Sequence, residues 1–335
     1  MKTLIVAYDP ISSGIGSYAI ELAKLLSEIN STYIICLNRL IEVKNVVTLK
    51  LSTSSLPVYT PLFNSLLINR EIRRLYDEIS PDAVIETLPP LAFNVENRIT
   101  IRWGYVSYLR LAWIRSSQMP FPYNIGGVPV TIQHYFGDKL SRQNAKKIID
   151  VSRETSDFIP PPMSVGALKR EPVQDKLQLL FISRDVLIRR KNLKVVLEAL
   201  SLYTGNYVLH IVGNGKIQRD NVVCHGYVPR EKVLQIMNEC DALILPSTYE
   251  EVGYVGLEAY SIGLPVIASD IPSFRAIFKK SLFFHPNNPW ELAELLKELN
   301  RDSLKKIGVE SRRFLMSSNE IAKKRLLEIY SSLHS

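Results

Sequence analysis

Apolar residues in this chain follow two alternating patterns. Short continuous apolar runs, as buried strands require, give way to longer stretches in which apolar residues recur at helical spacing. Residues 3–8 (TLIVAY) predict a strand, after which Ile15, Tyr18, Ala19, Leu22, Leu25 and Leu26 fall on one helical face. Residues 32–38 (TYIICLN) predict a second strand, NREIRRLYDEI a helix and DAVIET a third strand. The alternation weakens in the stretch beginning at Arg98, RITIRWGYVSYLRLAWIRSSQMPFPYNIGGVP, and resumes with KKIIDVS as a strand.

Pro160, Pro161 and Pro162 then break the pattern, because proline can continue neither a helix nor a central strand. A domain boundary is placed in this segment, residues 158–176. Beyond it LQLLFIS, YVLHIVG, VVCHGY, DALILPS, PVIAS and SLFFH predict strands, with KNLKVVLEALSLY and PREKVLQIMNEC as helices. In NNPWELAELLKEL, Asn288 as N-cap, Pro289 at the first helical position and Glu291 at the third form a capping-box arrangement. NEIAKKRLLEIYSSL predicts a closing amphipathic helix. Strand–helix alternation of this kind argues for parallel sheets covered on both faces. The expected fold class is α/β, with two Rossmann-like doubly wound domains in tandem, 1–160 and 161–318, and a last segment 319–335.

Composition narrows the reading only slightly. A chain of 335 residues suggests two domains at roughly 100–200 residues each. A hydrophobic share of 46% and a charged share of 22% are those of a globular protein with a core. A net charge of +8 favours anionic ligands or surfaces without pointing to nucleic acid, and no nucleic-acid partner is expected. Cys36, Cys224 and Cys240 form no C-x-x-C pair, so neither a disulfide framework nor a zinc site is indicated. The apolar start MKTLIVAYDP is too short for a signal peptide, and no run approaches the roughly 20 residues of a membrane span. A cytoplasmic location is expected.

The most specific chemistry lies in PSTYEEVGYVGLEAYSIGLPVIASD, where Glu250 and Glu258 flank a segment holding Gly253 and Gly256. The run ALIL before it predicts a strand covered on both faces. Gly263 is placed to cap the following helix, and Pro265 prevents its continuation. Residues 248–254 therefore form a loop at the carboxyl end of a parallel strand, where open α/β sheets bind ligands. Free backbone N–H groups at the helix start, over Val252, Gly253, Tyr254 and Val255, suit a phosphate, and glycine lets the backbone come close. A carboxylate only accepts hydrogen bonds, so two of them suit two hydroxyl-rich groups, with the phosphates between. A sugar at one end and a ribose at the other describe a nucleotide sugar.

This segment resembles the motif of retaining glycosyltransferases of family 4, which have the GT-B fold: two Rossmann-like domains facing a cleft. Their E-x7-E pattern matches Glu250 and Glu258, and the EA pair and GLPVIAS also fall at family spacing. The resemblance implies that Glu250 contacts the donor sugar and Glu258 the donor ribose. It also implies that the last segment packs back toward the first domain. FISRDVLIRRKNL resembles the family's GR…KG segment, which assigns Arg184 and Lys191 to the donor phosphates, with Arg190 adjoining Lys191. The glycine loop with Gly14 and Gly16 matches the one that faces the donor from the first domain, and backbone at Gly226 matches the part that reads the base. No D-x-D occurs, so the expectation is metal-independent transfer of a hexose-like sugar, with no cofactor.

The pattern also departs from the family. Where many members carry a histidine after a first-domain strand, ITIRWGY has Arg102 and Trp103. His134, after another strand-like run, either takes the catalytic role or is a structural histidine. Residues 98–123 mix arginines with aromatics, which suits either peripheral contact with a lipid surface and a lipid-linked or glycan acceptor, or a partly buried helix with snorkelling arginines. Two alternatives remain beside the transferase: a non-catalytic nucleotide-sugar-binding protein, and an NADP-dependent oxidoreductase built on the Gly14–Gly16 loop. Against the second, the loop starts several residues after its strand, and the next strand ends in Asn38 and Arg39 rather than an acid.

Overall fold

Two six-stranded parallel sheets organise the chain, which divides into two compact units: Met1–Ser164 with Asn319–Ser335, and Val165–Ser318. The structure, a computed structural model, describes residues 1–7, 14–37, 41–51, 61–87, 95–103, 139, 143–168 and 175–333. His134 and most of the 98–123 stretch lie outside the described residues.

In the first unit β1 (Lys2–Ala7), α1 (Gly14–Ser27), β2 (Ser31–Leu37), β3 (Val46–Leu51), α2 (Pro61–Ile79), β4 (Ala83–Glu86), β5 (Arg98–Arg102) and β6 (Lys147–Asp150) follow one another. The sheet order is β3-β2-β1-β4-β5-β6. Leu4, Val6, Ile35 and Val84 are buried in its core. Two strands were not foreseen. VVTLKL in β3 alternates lysine and threonine with apolar residues on an edge strand. RITIR in β5 lies in the stretch of weak periodicity, yet four of its five residues are buried, Arg98 included.

In the second unit β7 (Leu177–Asp185), α3 (Leu193–Leu202), β8 (Tyr207–Asn214), β9 (Val222–Gly226), α4 (Arg230–Glu239), β10 (Ala242–Leu245), α5 (Tyr254–Ile262), β11 (Val266–Ser269), α6 (Pro272–Ile277), β12 (Leu282–Phe284) and α7 (Pro289–Glu298) repeat the design. Its sheet order is β12-β11-β10-β7-β8-β9. Counted from each unit's first strand, both sheets read 3-2-1-4-5-6, the doubly wound order whose switch point lies between strands 1 and 4. β10 and β11 are buried along their whole length, as continuous apolar runs on a covered sheet should be.

The closing helix α8 (Arg301–Leu333) is longer than the sequence pattern implied. Asn300 caps it, its Oδ1 accepting from the Ser303 N–H at 2.9 Å. Gly308 lets it approach the turn after α5: a Cβ there would stand 2.1 Å from the Gly263 carbonyl oxygen. Its last turns belong to the first unit, where Tyr330 and Thr3 share a buried hydroxyl bond of 2.8 Å and Asn319 bonds both ways to the Met163 backbone. The box expected at α7 is half made. Asn288 accepts from the Glu291 N–H at 3.2 Å, while the Glu291 carboxylate takes the His285 N–H instead.

Candidate functional site

The loops after β7 and β10 leave the sheet as neighbours at the carboxyl edge of the second unit, because these two strands flank its switch point. Beyond β7 the chain makes a short 3-10 turn, Arg189–Lys191, and then Asn192 takes a left-handed backbone (φ 56°, ψ 38°) that starts α3. Asparagine tolerates that conformation better than most residues. Its side-chain amide donates to the carbonyls of Pro246 (3.1 Å) and Pro286 (2.7 Å), tying the loops after β7, β10 and β12 together. The Thr248 N–H donates to the Arg190 carbonyl at 2.9 Å and closes the seam.

This seam brings Glu250 against two cations. Lys191 Nζ and Arg190 Nη1 both reach its Oε2, the arginine at 3.2 Å. The Glu250 side chain is 18% exposed. Burial alone would raise its pKa, but the charges of Lys191 and Arg190, with their hydrogen bonds, outweigh it and hold the carboxyl below the usual range. Ser273 Oγ, from α6, donates to the Glu250 carbonyl at 2.5 Å and fixes the backbone from the other side. Next to it Tyr249 donates its hydroxyl to Glu251 at 2.8 Å, and burial pushes the phenol pKa up.

Gly253 is the N-cap of α5, with φ 76° and ψ 56°. Only glycine adopts this readily, and a Cβ would also stand 2.8 Å from the Phe274 ring. The side chains of Val252 and Tyr254 are buried, so this turn offers the surface its backbone. The N–H groups of Tyr254 and Val255 have no acceptor earlier in the helix and lie at its positive end. Glu258 follows about one turn, ~6 Å of rise, further along α5. Its Oε1 lies 2.9 Å from Arg230 Nη2, at the first turn of α4. Gly226, at the end of β9, has φ 68° and open space where a Cβ would be.

Of the residues expected in the site, Lys191 and Glu250 are joined directly, and Gly253, Tyr254, Val255 and Glu258 share one helix start. Arg184 stands apart, exposed at the end of β7 with no partner among the described residues. Gly14 and Gly16 open α1 in the first unit, Gly14 exposed with open space beside it and Gly16 buried. Sequence reading missed Asn192, Ser273 and the role of Arg230, and left Arg190 undecided. It also missed a stacked imidazole pair on β8 and β9, His210 Nδ1 2.9 Å from His225 Nε2. Burial pushes the pKa of both rings down.

An acid held by two cations, a bare helix N-terminus and a second acid thus line one sheet edge. Such a set can bind an anion flanked by hydroxyl groups. Residues 167–314 match the family model of glycosyl transferases group 1. The lipopolysaccharide 1,6-galactosyltransferase of Escherichia coli is 28% identical over 196 residues, 54% of this chain and 52% of that protein. The first curated relatives are matched over about a third to a half of their own length, 33%, 52% and 34%. Among solved structures, sucrose-phosphate synthase from Thermosynechococcus elongatus has a TM-score of 0.76 at 16% identity over 100% of this chain and 99% of that one. HepE of Anabaena, in complex with UDP and glucose, has a TM-score of 0.66 at 13% identity over 99% and 100%. The fold is thus GT-B-like, with two Rossmann-like units, and the segment 167–314 is similar to glycosyl transferases group 1.

Proposed function

We propose that this protein is a retaining glycosyltransferase of family 4, moving a hexose-like sugar from a nucleotide diphosphate sugar to an acceptor hydroxyl. The observation that carries the reading is the placement of Glu250 and Glu258 on either side of the α5 N-terminus, with Lys191 and Arg190 on Glu250. In this reading the diphosphate rests on the N–H groups of Gly253, Tyr254 and Val255. Lys191, with Arg184 at the end of β7, neutralises the charge that grows on the leaving phosphate. Glu258 accepts the ribose hydroxyls, and backbone at Gly226 meets the base.

Glu250 orients the sugar. A carboxylate whose pKa is held down by two cations is a poor nucleophile and a poor proton acceptor, but a firm hydrogen-bond acceptor. Retention then comes from same-face attack, in which the acceptor hydroxyl loses its proton to the departing phosphate oxygen as the new glycosidic bond forms. Fixed cations at the phosphate take the place of a metal ion. The rate arises from placement and preorganised charge. A glycan or lipid-linked acceptor is supported by the bacterial lipopolysaccharide relative. No helix among the described residues is long and apolar enough to cross a membrane. Residues 98–123, with their arginines and aromatics, are proposed as a peripheral contact with a lipid surface.

Thermal-shift titration with UDP-, GDP- and ADP-sugars tests donor binding, with stabilisation by one set expected. The anomeric configuration of the product, read by NMR, tests retention. Indifference to all three sets removes the reading. Binding without transfer to any acceptor leaves a nucleotide-sugar-binding protein.

A further inference from the structure

Arg230 joins this site from α4, outside the Glu250–Glu258 segment. It is the first residue of α4, directly after Pro229, whose extended backbone (φ −60°, ψ 157°) turns the chain into the helix. Its side chain is 58% exposed and reaches a Glu258 side chain that is 17% exposed. A pair in which one partner stands mostly in water adds little to stability. What it does change is direction. A glutamate arm has several rotamers of similar energy, and a guanidinium at 2.9 Å from Oε1 selects among them. The contact ties α5 to the first turn of α4, the helix that follows β9 and Gly226 by four residues.

We infer that Arg230 is a positioning residue: it holds the Glu258 carboxylate in the direction that accepts both hydroxyls of a ribose, and so sets the preference for a ribonucleotide over its 2′-deoxy counterpart. The inference rests on the nucleotide-sugar reading above. Two hydroxyls on one carboxylate demand a defined direction, whereas one hydroxyl can be met from several. Losing Arg230 therefore weakens the ribonucleotide more than the deoxynucleotide. The cost is that of ordering one flexible side chain on binding, about 3- to 10-fold in affinity.

The experiment measures dissociation constants of the full chain for UDP, GDP and ADP, each beside its 2′-deoxy form, by calorimetry. Wild type is expected to prefer the ribo form of the base it binds. Glu258→Ala abolishes the preference. Arg230→Ala lowers the ribo/deoxy ratio about 3- to 10-fold with an unchanged melting temperature, since its side chain packs in no core. Arg230→Lys, which keeps one donor for Oε1, recovers most of the ratio. An unchanged or increased ratio in Arg230→Ala, or a ratio in Arg230→Lys as low as in the alanine variant, overturns the role of Arg230 and leaves donor binding standing. If none of the six nucleotides binds wild type, the donor site itself falls, and this inference with it.

Discussion

The two sheets have the same topology, and their described ion pairs lie at different places. Both have their switch point between strands 1 and 4. Among the described residues of the first unit, two ion pairs lie within the sheet. Glu86, the last residue of β4, is 1% exposed and pairs with Arg98 of β5 at 3.5 Å, while Thr100 donates to its other oxygen. Arg102 and Asp150, register partners at the ends of β5 and β6, pair at 2.7 Å. In the second unit the paired charges lie past the strand ends, on loops that also carry a bare helix start. Topology thus fixes where a site can form. Charge buried inside strands serves the fold, and charge on loops just beyond them is free to meet a ligand.

The largest effect that separates the two edges is expected at Glu250. Glu250→Ala removes the acceptor meant for the sugar and leaves Lys191 and Arg190 without their partner. Transfer should fall by at least about 100-fold, the scale on which a misplaced substrate loses rate. Retained turnover in a donor assay would remove the assigned role.

Arg98 offers the converse test. Arg98→Ala takes the cation from a buried Glu86 that keeps its Thr100 bond, and breaking a buried pair on one side costs about 3–5 kcal/mol. Urea denaturation should register that loss, while nucleotide affinity in the second unit stays at the wild-type value. The double change Arg98→Met with Glu86→Leu should recover much of the stability, because no buried charge is left unpaired. If nucleotide affinity falls with Arg98→Ala in protein that is still folded, the two edges are not independent.

Much of this division was legible in the sequence. Continuous apolar runs gave away β1, β10 and β11, and the expected cap Gly263 does end α5, with φ 77°. Strand β3 escaped because an edge strand with one wetted face carries polar residues, and β5 because a buried arginine looks like a surface one until its partner is known. The first half of α8 was hidden by its charges and Gly308. In the candidate site, Glu250, Gly253 and Glu258 share one short segment, so their spacing and the family resemblance together singled them out. Arg190 and Asn192 meet Glu250 and Pro246 across more than fifty residues of chain (|i−j| of 60 and 54). Arg230 comes from a different helix again, and basic residues at helix starts are too common to single one out.

Gly253→Ala is a smaller change that keeps the charges and alters only the backbone of the second edge. Alanine is strained at φ 76°, and its Cβ would press on Phe274 at 2.8 Å. The cost should be about 1–3 kcal/mol in stability. The N–H groups after it should also lose their alignment, so that affinity for a nucleoside diphosphate drops more than affinity for the nucleoside. Equal loss for both would place the phosphates elsewhere.

The mildest test is acidification. Lys191 and Arg190 lower the pKa of Glu250 in the folded protein despite its burial. A depressed folded pKa means a contribution that is complete above the unfolded value, about 4.3 for glutamate, and lost as pH falls through the folded one. Wild type should therefore exceed Glu250→Gln in stability at neutral pH, and the gap should hold to about pH 4.3 before closing. The paired carboxylate Asp270, also lowered by its Arg275 hydrogen bonds, titrates in both proteins and cancels from the difference. A gap that instead widens as pH falls through about 6 would mean that burial dominates and that Glu250 holds a proton far more readily than two adjacent cations allow. The glutamate would then be a candidate proton carrier, and its edge would differ from that of the first unit in reactivity as well as in where its charges lie.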